Sequence, residues 1–143
     1  MKKKQKNMWN NKKLCYNPTE MVMNMKQENL NCEKIKVNIE VNNYKITNTG
    51  TKYNEIISCL DNNDNQTKVT FDLKNNILTR ENKELTINID FKTNKIKYHL
   101  KQENKTAFSN IKVNKFQKLE NQITITYQTE NDTFNLKIEY KSN

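Results

Sequence analysis

Strict alternation of apolar and polar residues is the feature that most limits the folds open to this chain. Every second residue is apolar in LTINIDF, residues 85–91, and again in IKYHL, residues 96–100. The same alternation runs through EKIKVNIEV (33–41), TKVTFDL (67–73) and ITITY (123–127). A period of two places the apolar side chains on one face of a β-strand. The pattern therefore predicts an all-β structure from residue 34 onward.

The predicted turns give a register, because paired residues in an antiparallel hairpin have numbers with a constant sum. The sum is 151 for a two-residue turn at 75–76, where Asn can adopt positive φ, 187 for a turn at 93–94 and 261 for the last hairpin. Apolar residues then face each other almost throughout: Leu73 and Leu78, Phe91 and Ile96, Ile89 and Tyr98, Ile87 and Leu100, Tyr127 and Phe134, Ile125 and Leu136, Ile123 and Ile138. Phe71 faces Arg80.

Two further segments carry structural signals. Asn48-Thr49-Gly50 is the clearest turn signal in the chain. Residues 103–121 alternate at first and then break phase, which predicts a strand with a bulge or corner.

The predicted strands, about eight to ten of them, each have one apolar face that must be buried. Since short hairpins join them in order, we predict a single antiparallel, mostly up-and-down, calycin-like β-barrel over residues 34–143. Residues 1–33 are predicted to be a basic N-terminal tail, disordered or partly helical, with a short helix starting after Pro18. Translation from Met21, Met23 or Met25 instead of Met1 is an alternative that the sequence leaves open.

The charge of the chain bears on its partners. The net charge is +9, which points to nucleic acid or an anionic surface. However, 24 of the 25 basic residues are scattered Lys, whereas bidentate recognition of phosphates and bases favours Arg. A solvated Lys- and Asn-rich surface is the simpler interpretation. The excess of Asn, Lys and Ile over Gly, Pro and Ala indicates an AT-rich genome.

The cysteines and the apolar runs bear on location. Cys15, Cys32 and Cys59 lack CxxC spacing and predict reduced thiols rather than a zinc site or a disulfide framework. No apolar run approaches the ~18 residues of a transmembrane helix, and no apolar core of a secretion signal follows the basic start. We therefore expect a cytoplasmic protein without membrane insertion, and the sequence predicts no metal, cofactor or particular oligomeric state.

Part of the chain resembles a known family. VTFDLKNNILTRENKELTINIDF (69–91), Tyr98 and NQITITYQTENDTFNLKIEY (121–140) resemble the YwiB-like bacterial proteins, a family of unknown function. The resemblance consists of Arg80 at the end of a short strand, Phe91 eleven residues later, Tyr98 and the closing I-x-I-x-Y hairpin. The family has Gly soon after the Arg, where this chain has Asn82. The resemblance implies a calycin, lipocalin-like, β-barrel of bacterial origin.

Arg80 is the most informative candidate site residue, because it falls on the apolar phase and would point into the barrel. A buried Arg requires a partner. It could anchor the acidic group of a ligand inside the barrel. The simpler interpretation is an Arg at the barrel's end that packs on Phe71 or Tyr98 and donates to backbone carbonyls.

Inward-phase aromatic residues are the other candidates. They either line a pocket for an apolar ligand or fill the core. These residues are Phe71, Phe91, Tyr98, Tyr127 and Tyr140. His99, the single histidine, falls on the polar phase, and residues 60–67 are a surface turn rather than a calcium loop. We predict no catalytic residue.

These observations lead to two functional hypotheses. The first is a non-enzymatic barrel that binds a small apolar or acidic ligand through Arg80 and the inward aromatic residues. The alternative is a basic barrel that binds nucleic acid on its Lys-rich outer surface.

Overall fold

The computed structural model describes residues 32–142, and its regular structure there consists of β-strands. Eleven strands follow one another: β1 Cys32–Val41, β2 Tyr44–Tyr53, β3 Ile56–Leu60, β4 Lys68–Asp72, β5 Ile77–Glu81, β6 Leu85–Asp90, β7 Lys95–Leu100, β8 Lys105–Asn110, β9 Lys112–Leu119, β10 Gln122–Gln128 and β11 Thr133–Ser142. All their pairings are antiparallel. The prediction of an all-β, up-and-down barrel is confirmed. The strand number exceeds the expected range because residues 103–121 supply two strands, β8 and β9.

Pairing of β1 with β11 brings the ends of the described chain together and joins all eleven strands in one sheet, which curves into a nearly closed barrel. The pairing order is β8-β7-β6-β5-β4-β3-β2-β1-β11-β10-β9, so β8 and β9 are the two edges. In a sheet with an odd number of antiparallel strands, both edges run in the same direction. Only Ile111 separates these two edges in sequence. They are therefore one long strand, bent at Ile111, that leaves β7 and joins β10.

This bent strand confirms the predicted corner in residues 103–121. A register shift lies close by, between Thr126 and Tyr127 in the ladder of β10 with β9. Bulges of this kind bend a strand and increase its twist, which helps β9 cross from one edge of the sheet to the other.

The inner face of the barrel is packed in one part and open in another. The most deeply buried apolar side chains come from β1, β3, β4, β10 and β11: Ile35, Val37, Ile57, Phe71, Ile123, Ile125, Leu136 and Ile138. In contrast, every residue of β6 is half-buried and every residue of β8 is exposed. The wall formed by β6, β7 and β8 therefore leaves apolar inner-face side chains accessible.

Asparagine supplies the positive φ angles that glycine supplies in most proteins. Among residues 32–142, all residues with positive φ are Asn, with values between 52° and 62°. Asn adopts this conformation more readily than other residues with a side chain. They are Asn42, Asn54, Asn65, Asn76, Asn94, Asn104 and Asn121. The chain has 27 Asn and one Gly, so its turns depend on asparagine. The positive φ predicted for the turn at 75–76 is confirmed at Asn76.

Two of the three predicted hairpin registers are wrong, because the numbers of paired residues sum to two less than predicted. The β4–β5 hairpin has a sum of 149, which pairs Phe71 with Leu78, and the β6–β7 hairpin has a sum of 185, which pairs Ile87 with Tyr98. The third sum, 261, is confirmed. A shift of two keeps each side chain on its face of the sheet. Arg80 accordingly stays on the inner face and pairs with Val69 rather than Phe71.

The longer turns explain the shift. Residues 73–76 and 91–94 form four-residue turns, each preceded by an Asp. Oδ1 of Asp72 accepts the amide of Lys74 at 2.9 Å, and Oδ1 of Asp90 accepts the amide of Lys92 at 2.9 Å. Asp side chains stabilise turns in this way. The repeated pattern Asp-x-x-x-Asn therefore specifies a longer turn than a dipeptide signal suggests.

The predicted turn at Asn48-Thr49-Gly50 is wrong, because these residues lie inside β2. Gly50 has no positive φ. A Cβ at this position would lie 2.1 Å from the carbonyl oxygen of Ser58 and 2.8 Å from Cβ of Cys59. Glycine inside a strand commonly marks such a close approach of another backbone. Gly50 is needed for space rather than for turning.

The predicted domain boundary lies close to the start of β1. Cys32 and Glu33, assigned to the tail, already pair with Tyr53 and Lys52 of β2. The rest of the predicted tail and its short helix lie outside the described residues. Residues 32–142 contain no helix long and apolar enough to span a bilayer.

Candidate functional site

Arg80 lies near the end of β5, beside the loop of residues 61–67. One guanidinium nitrogen is 3.5 Å from Oδ2 of Asp61. The guanidinium carbon lies 5.9 Å from the centre of the Tyr44 ring, within range of a cation–π interaction. The Arg80 side chain is 40% exposed, whereas the Asp61 side chain is fully buried. Arg80 thus lies at the rim of the barrel, and its positive charge compensates the negative charge of the buried Asp61 carboxylate.

Asp61 is held in place by its own hydrogen bonds. The Tyr44 hydroxyl donates to Oδ2 at 2.5 Å. The backbone amide of Asn63 donates to Oδ1 at 2.8 Å, and the Asn63 side-chain amide donates to the same oxygen at 2.9 Å. The hydrogen bond to Asp61, together with burial, raises the pKa of Tyr44. A protonated hydroxyl therefore stays available as a donor to this carboxylate.

The contacts of Arg80 differ from those named in the simpler interpretation of this residue, although its place at the end of the barrel agrees with it. Its partner is a side-chain carboxylate rather than backbone carbonyls, and Tyr44 rather than Phe71 or Tyr98 lies against the guanidinium. Within the described residues, the guanidinium makes this ion pair with Asp61 and donates no hydrogen bond. Several of its five donors are therefore free to bind another acceptor.

The sequence pointed to neither Tyr44 nor Asp61. Asp61 was part of a predicted surface turn, and Tyr44 lies 17 residues before it. Pairs so far apart in sequence carry no local pattern. The turn itself is confirmed, because Oδ1 of Asp64 accepts the amides of Gln66 and Thr67 at 2.9 Å and 3.1 Å. These bonds lower the pKa of Asp64, the Gln66 amide having the largest effect.

A row of inner-face residues extends from Arg80 across the open wall. Arg80 pairs with Ile87, Ile87 pairs with Tyr98, and Tyr98 pairs with Ala107. Neighbouring strands lie about 4.8 Å apart, so this row spans roughly 15 Å. Ile87 and Tyr98 are half-buried and Ala107 is exposed. The row combines an exposed cationic end with an accessible apolar surface.

Three of the predicted aromatic residues lie close to one another. Phe91 meets Tyr127 edge to face at 5.3 Å, and Tyr127 stacks on Phe134 at 5.2 Å. Burial, with a smaller effect of the nearby Tyr98, raises the pKa of Tyr127 to about 12. Phe91 and Tyr127 belong to the packed core, and Tyr98 is half-buried beside it.

The other two aromatic candidates lie apart from this group. Phe71 is 1% exposed and contributes to the core between β3 and β5. Tyr140 is in β11; burial raises its pKa, and Glu55, Glu120 and Glu33 add to the effect. Glu33 lies at the start of β1, whereas Tyr44 pairs with the last residue of β1. Tyr140 therefore lies toward the opposite end of the barrel from Arg80.

The outer face of β6–β8 carries a polar depression of about 310 Å³, lined by Thr86, Asn88, Lys97, His99 and Thr106. His99 is on this outer face, as predicted, and its Nδ1 lies 2.9 Å from Oγ1 of Thr106. Phe108, directly opposite Lys97, is 65% exposed on the same face. A second cavity of about 410 Å³ adjoins the bend of the long strand, between residues 109–112 and 128–130.

The cysteines only partly follow the prediction of reduced thiols. Cys59 is a free, buried thiol, and burial, with the charge of Asp61, raises its pKa to about 12. Cys32 is disulfide-bonded, so the prediction is wrong there. Its partner lies outside the described residues. Disulfides persist mainly in oxidising compartments, and the cytoplasmic location stays a prediction. No cluster of His, Cys, Asp or Glu within residues 32–142 is suited to hold a metal ion.

In comparisons with known proteins, no family model, curated protein or solved structure matches this chain.

Proposed function

We propose that the barrel binds a small, largely apolar ligand with an acidic end, without catalysing a reaction. The observation that carries this proposal is the row from Arg80 to Ala107, where a cation and an accessible apolar surface share one face. The remaining core is filled by aliphatic and aromatic side chains. The accessible wall of β5–β8 is thus the part of the inner face that can take up a ligand.

The acidic end of the ligand would bind Arg80. A guanidinium offers five donors in a planar fork that matches a carboxylate. Asp61 already accepts three hydrogen bonds from Tyr44 and Asn63. It therefore keeps most of its hydrogen bonds if the guanidinium turns toward a ligand. Asp61 and Tyr44 position Arg80, while Arg80 itself contacts the ligand.

The apolar part of the ligand would lie along Ile87, Tyr98 and Ala107. Covering apolar surface contributes roughly 25 cal/mol per Å². The Tyr98 hydroxyl can orient a polar atom of the ligand. Phe91 and Tyr127 would border this surface, whereas Phe71 and Tyr140 stabilise other parts of the barrel. The proposal retains the YwiB-like, calycin-type relationship and a bacterial origin as expectations supported by the resemblance, which covers roughly residues 66–140.

Binding of dodecanoate and dodecanol to the full chain tests this proposal. The two probes share the apolar chain and differ in the acidic group. We expect dodecanoate to bind about tenfold more tightly, because a hydrogen bond to a charged group contributes about 1.5 kcal/mol. Amide chemical shifts should change at Ile87 and Tyr98. Shifts confined to the outer face, or no binding of either probe, would contradict the proposal.

Arg80→Gln and Lys83→Gln form a matched pair of variants. Each removes one positive charge, and Lys83 is exposed in the turn that follows β5. We expect Arg80→Gln to abolish the preference for dodecanoate over dodecanol and Lys83→Gln to keep it. If Arg80→Gln does not fold, Arg80→Lys retains the charge beside Asp61 and should reduce the preference severalfold. An unchanged preference in Arg80→Lys and Arg80→Gln would exclude Arg80 as the anchor.

Nucleic-acid binding is the second candidate function, and one observation favours it. Phe108 is exposed directly opposite Lys97 on the outer face, beside His99 and Lys95. Exposed aromatic rings beside Lys are what single-stranded nucleic acids stack on. Fluorescence anisotropy with a short oligothymidylate tests this candidate. Binding should weaken steeply with salt and fall about tenfold in Phe108→Ala. Leu100→Ala, which removes another exposed apolar side chain, is the control. Binding that is insensitive to salt or equal in both variants contradicts it.

A further inference from the structure

Lys105, the first residue of β8, lies on the same inner face of the sheet as Arg80. It pairs with Leu100 of β7, and Leu100 pairs with Leu85 of β6. Leu85 lies two residues before Ile87, the partner of Arg80, so these two residues of β6 share a face. Paired residues of a ladder also share a face. The accessible wall of β5–β8 therefore has a second cation on its inner face.

The charge on this inner face is of one sign. Among the inner-face residues of β5–β8, Arg80 and Lys105 are the charged ones. The acidic residues of these four strands, Glu81 and Asp90, fall on the outer phase. Lys105 is exposed and makes no ion pair with the described residues. Its ammonium group is therefore available to an anionic group of a ligand.

Apolar side chains connect the two cations. The row that starts at Arg80 contributes Ile87 and Tyr98, which are half-buried. The row that ends at Lys105 contributes Leu100, which is 43% exposed. The accessible inner face is therefore apolar in its middle and positive at both ends.

The spacing of the two cations sets the length of a ligand that reaches both. Three strand steps of about 4.8 Å separate β5 from β8, and Lys105 lies about 7 Å along β8 from Ala107, where the row of Arg80 ends. The Cα atoms of Arg80 and Lys105 are therefore roughly 16 Å apart along the sheet. With C–C bonds of about 1.5 Å, an extended chain of twelve carbons is roughly 14 Å long. Such a chain can place one end group at Arg80 and the other at Lys105.

We propose that the ligand of this barrel carries an acidic group at each end, as an α,ω-dicarboxylate of about twelve carbons does. Arg80 binds one carboxylate and Lys105 binds the other, while the methylene chain covers Tyr98 and Leu100. A ligand with a single acidic group leaves its apolar end beside the ammonium group, so Lys105 favours diacids. This inference rests on the proposed function, because it requires the ligand to lie along the row from Arg80.

Binding of dodecanedioate and dodecanoate to the full chain, measured by isothermal titration calorimetry, tests the inference. The two probes have the same chain length and differ in the second carboxylate. Lys105→Glu reverses the charge at the β8 end of the wall. Lys115→Glu makes the same change at an exposed position of β9 and is the matched control.

We expect Lys105→Glu to weaken the binding of dodecanedioate about tenfold, because an exposed attraction is replaced by a repulsion of similar size. The binding of dodecanoate should weaken less than twofold, since its carboxylate at Arg80 lies more than the Debye length of about 8 Å from residue 105. Lys115→Glu should leave the affinities for both probes within about twofold of the wild type. If Lys105→Glu does not fold, Lys105→Gln removes the charge and should weaken dodecanedioate alone, about threefold.

The outcomes separate this inference from the proposed function. Equal effects of the Lys105 substitutions on both probes, or equal effects of Lys105→Glu and Lys115→Glu on dodecanedioate, overturn the inference. The proposed function then still stands if dodecanoate binds and Arg80→Gln weakens it. If neither probe binds, or if Arg80→Gln leaves both affinities unchanged, the proposed function and this inference fail together.

Discussion

Asn76 ends the turn between β4 and β5 with a φ of 57°. Its Oδ1 is buried and has no hydrogen-bond partner among the described residues. A buried, unpaired acceptor is destabilising, so this residue provides a backbone conformation at the expense of an unsatisfied side chain. In a chain with one glycine, such compromises are expected wherever a turn requires positive φ.

Asn76→Gly should therefore raise the free energy of unfolding by about 1 kcal/mol, since glycine adopts this φ without leaving an orphan acceptor. Urea unfolding measures the change. The neighbouring Asn75→Gly is the control, because Asn75 Nδ2 donates to Oδ2 of Asp72 at 2.9 Å. That variant should lose about 0.5–1 kcal/mol. A loss of stability in Asn76→Gly would show that the Asn side chain stabilises the turn in a way its contacts do not explain.

The backbone of β3 lies close to β2 at Gly50. Gly50 has room for no Cβ, because Ser58 and Cys59 fill the space. β2 and β3 pair only from Thr51 to Tyr53 on the β2 side. The contact of Gly50 with β3 therefore lies next to the end of their ladder and controls how closely these strands approach.

Gly50→Ala should lower the free energy of unfolding by roughly 3 kcal/mol, because its Cβ would meet a backbone oxygen that cannot rotate away. Thermal and urea unfolding measure this loss. Thr49→Ala, at the exposed neighbouring position in β2, should change the stability by less than about 0.5 kcal/mol. Equal effects of the two substitutions would mean that the strands separate at little cost.

Closure of the whole barrel depends on the ladders that join β1, β11 and β10. Ile138 in β11 pairs with Ile39 of β1 and with Ile123 of β10, and it is 0% exposed. The opposite side of the barrel ends in the exposed edge of β8. Ile138 and Phe108 are both apolar, yet Ile138 belongs to the buried core and Phe108 lies exposed on an edge strand.

Ile138→Ala should lower the free energy of unfolding by about 2–5 kcal/mol through the cavity it leaves. Phe108→Ala removes a larger side chain, yet it should cost less than about 0.5 kcal/mol because Phe108 is exposed. Urea unfolding monitored by circular dichroism compares the two. A larger loss in Phe108→Ala would mean that β8 is covered in the folded protein.

The sequence alone determined which segments are strands and which face of each strand is apolar, because a period of two depends only on neighbouring residues. It therefore predicted the barrel and the inner-face position of Arg80. A register wrong by two does not change faces, so these conclusions survived incorrect turn lengths at 75–76 and 93–94.

Only the tertiary structure decided the exact registers, which strands form the edges of the sheet and which residues contact Arg80. Turn length depends on hydrogen bonds such as those of Asp72 and Asp90. β8 and β9 are the edges of the sheet because they are two parts of one bent strand that run in the same direction, so no antiparallel ladder joins them. Asp61 and Tyr44 reach Arg80 only after distant strands close into a barrel, and no local pattern can specify contacts that depend on closure.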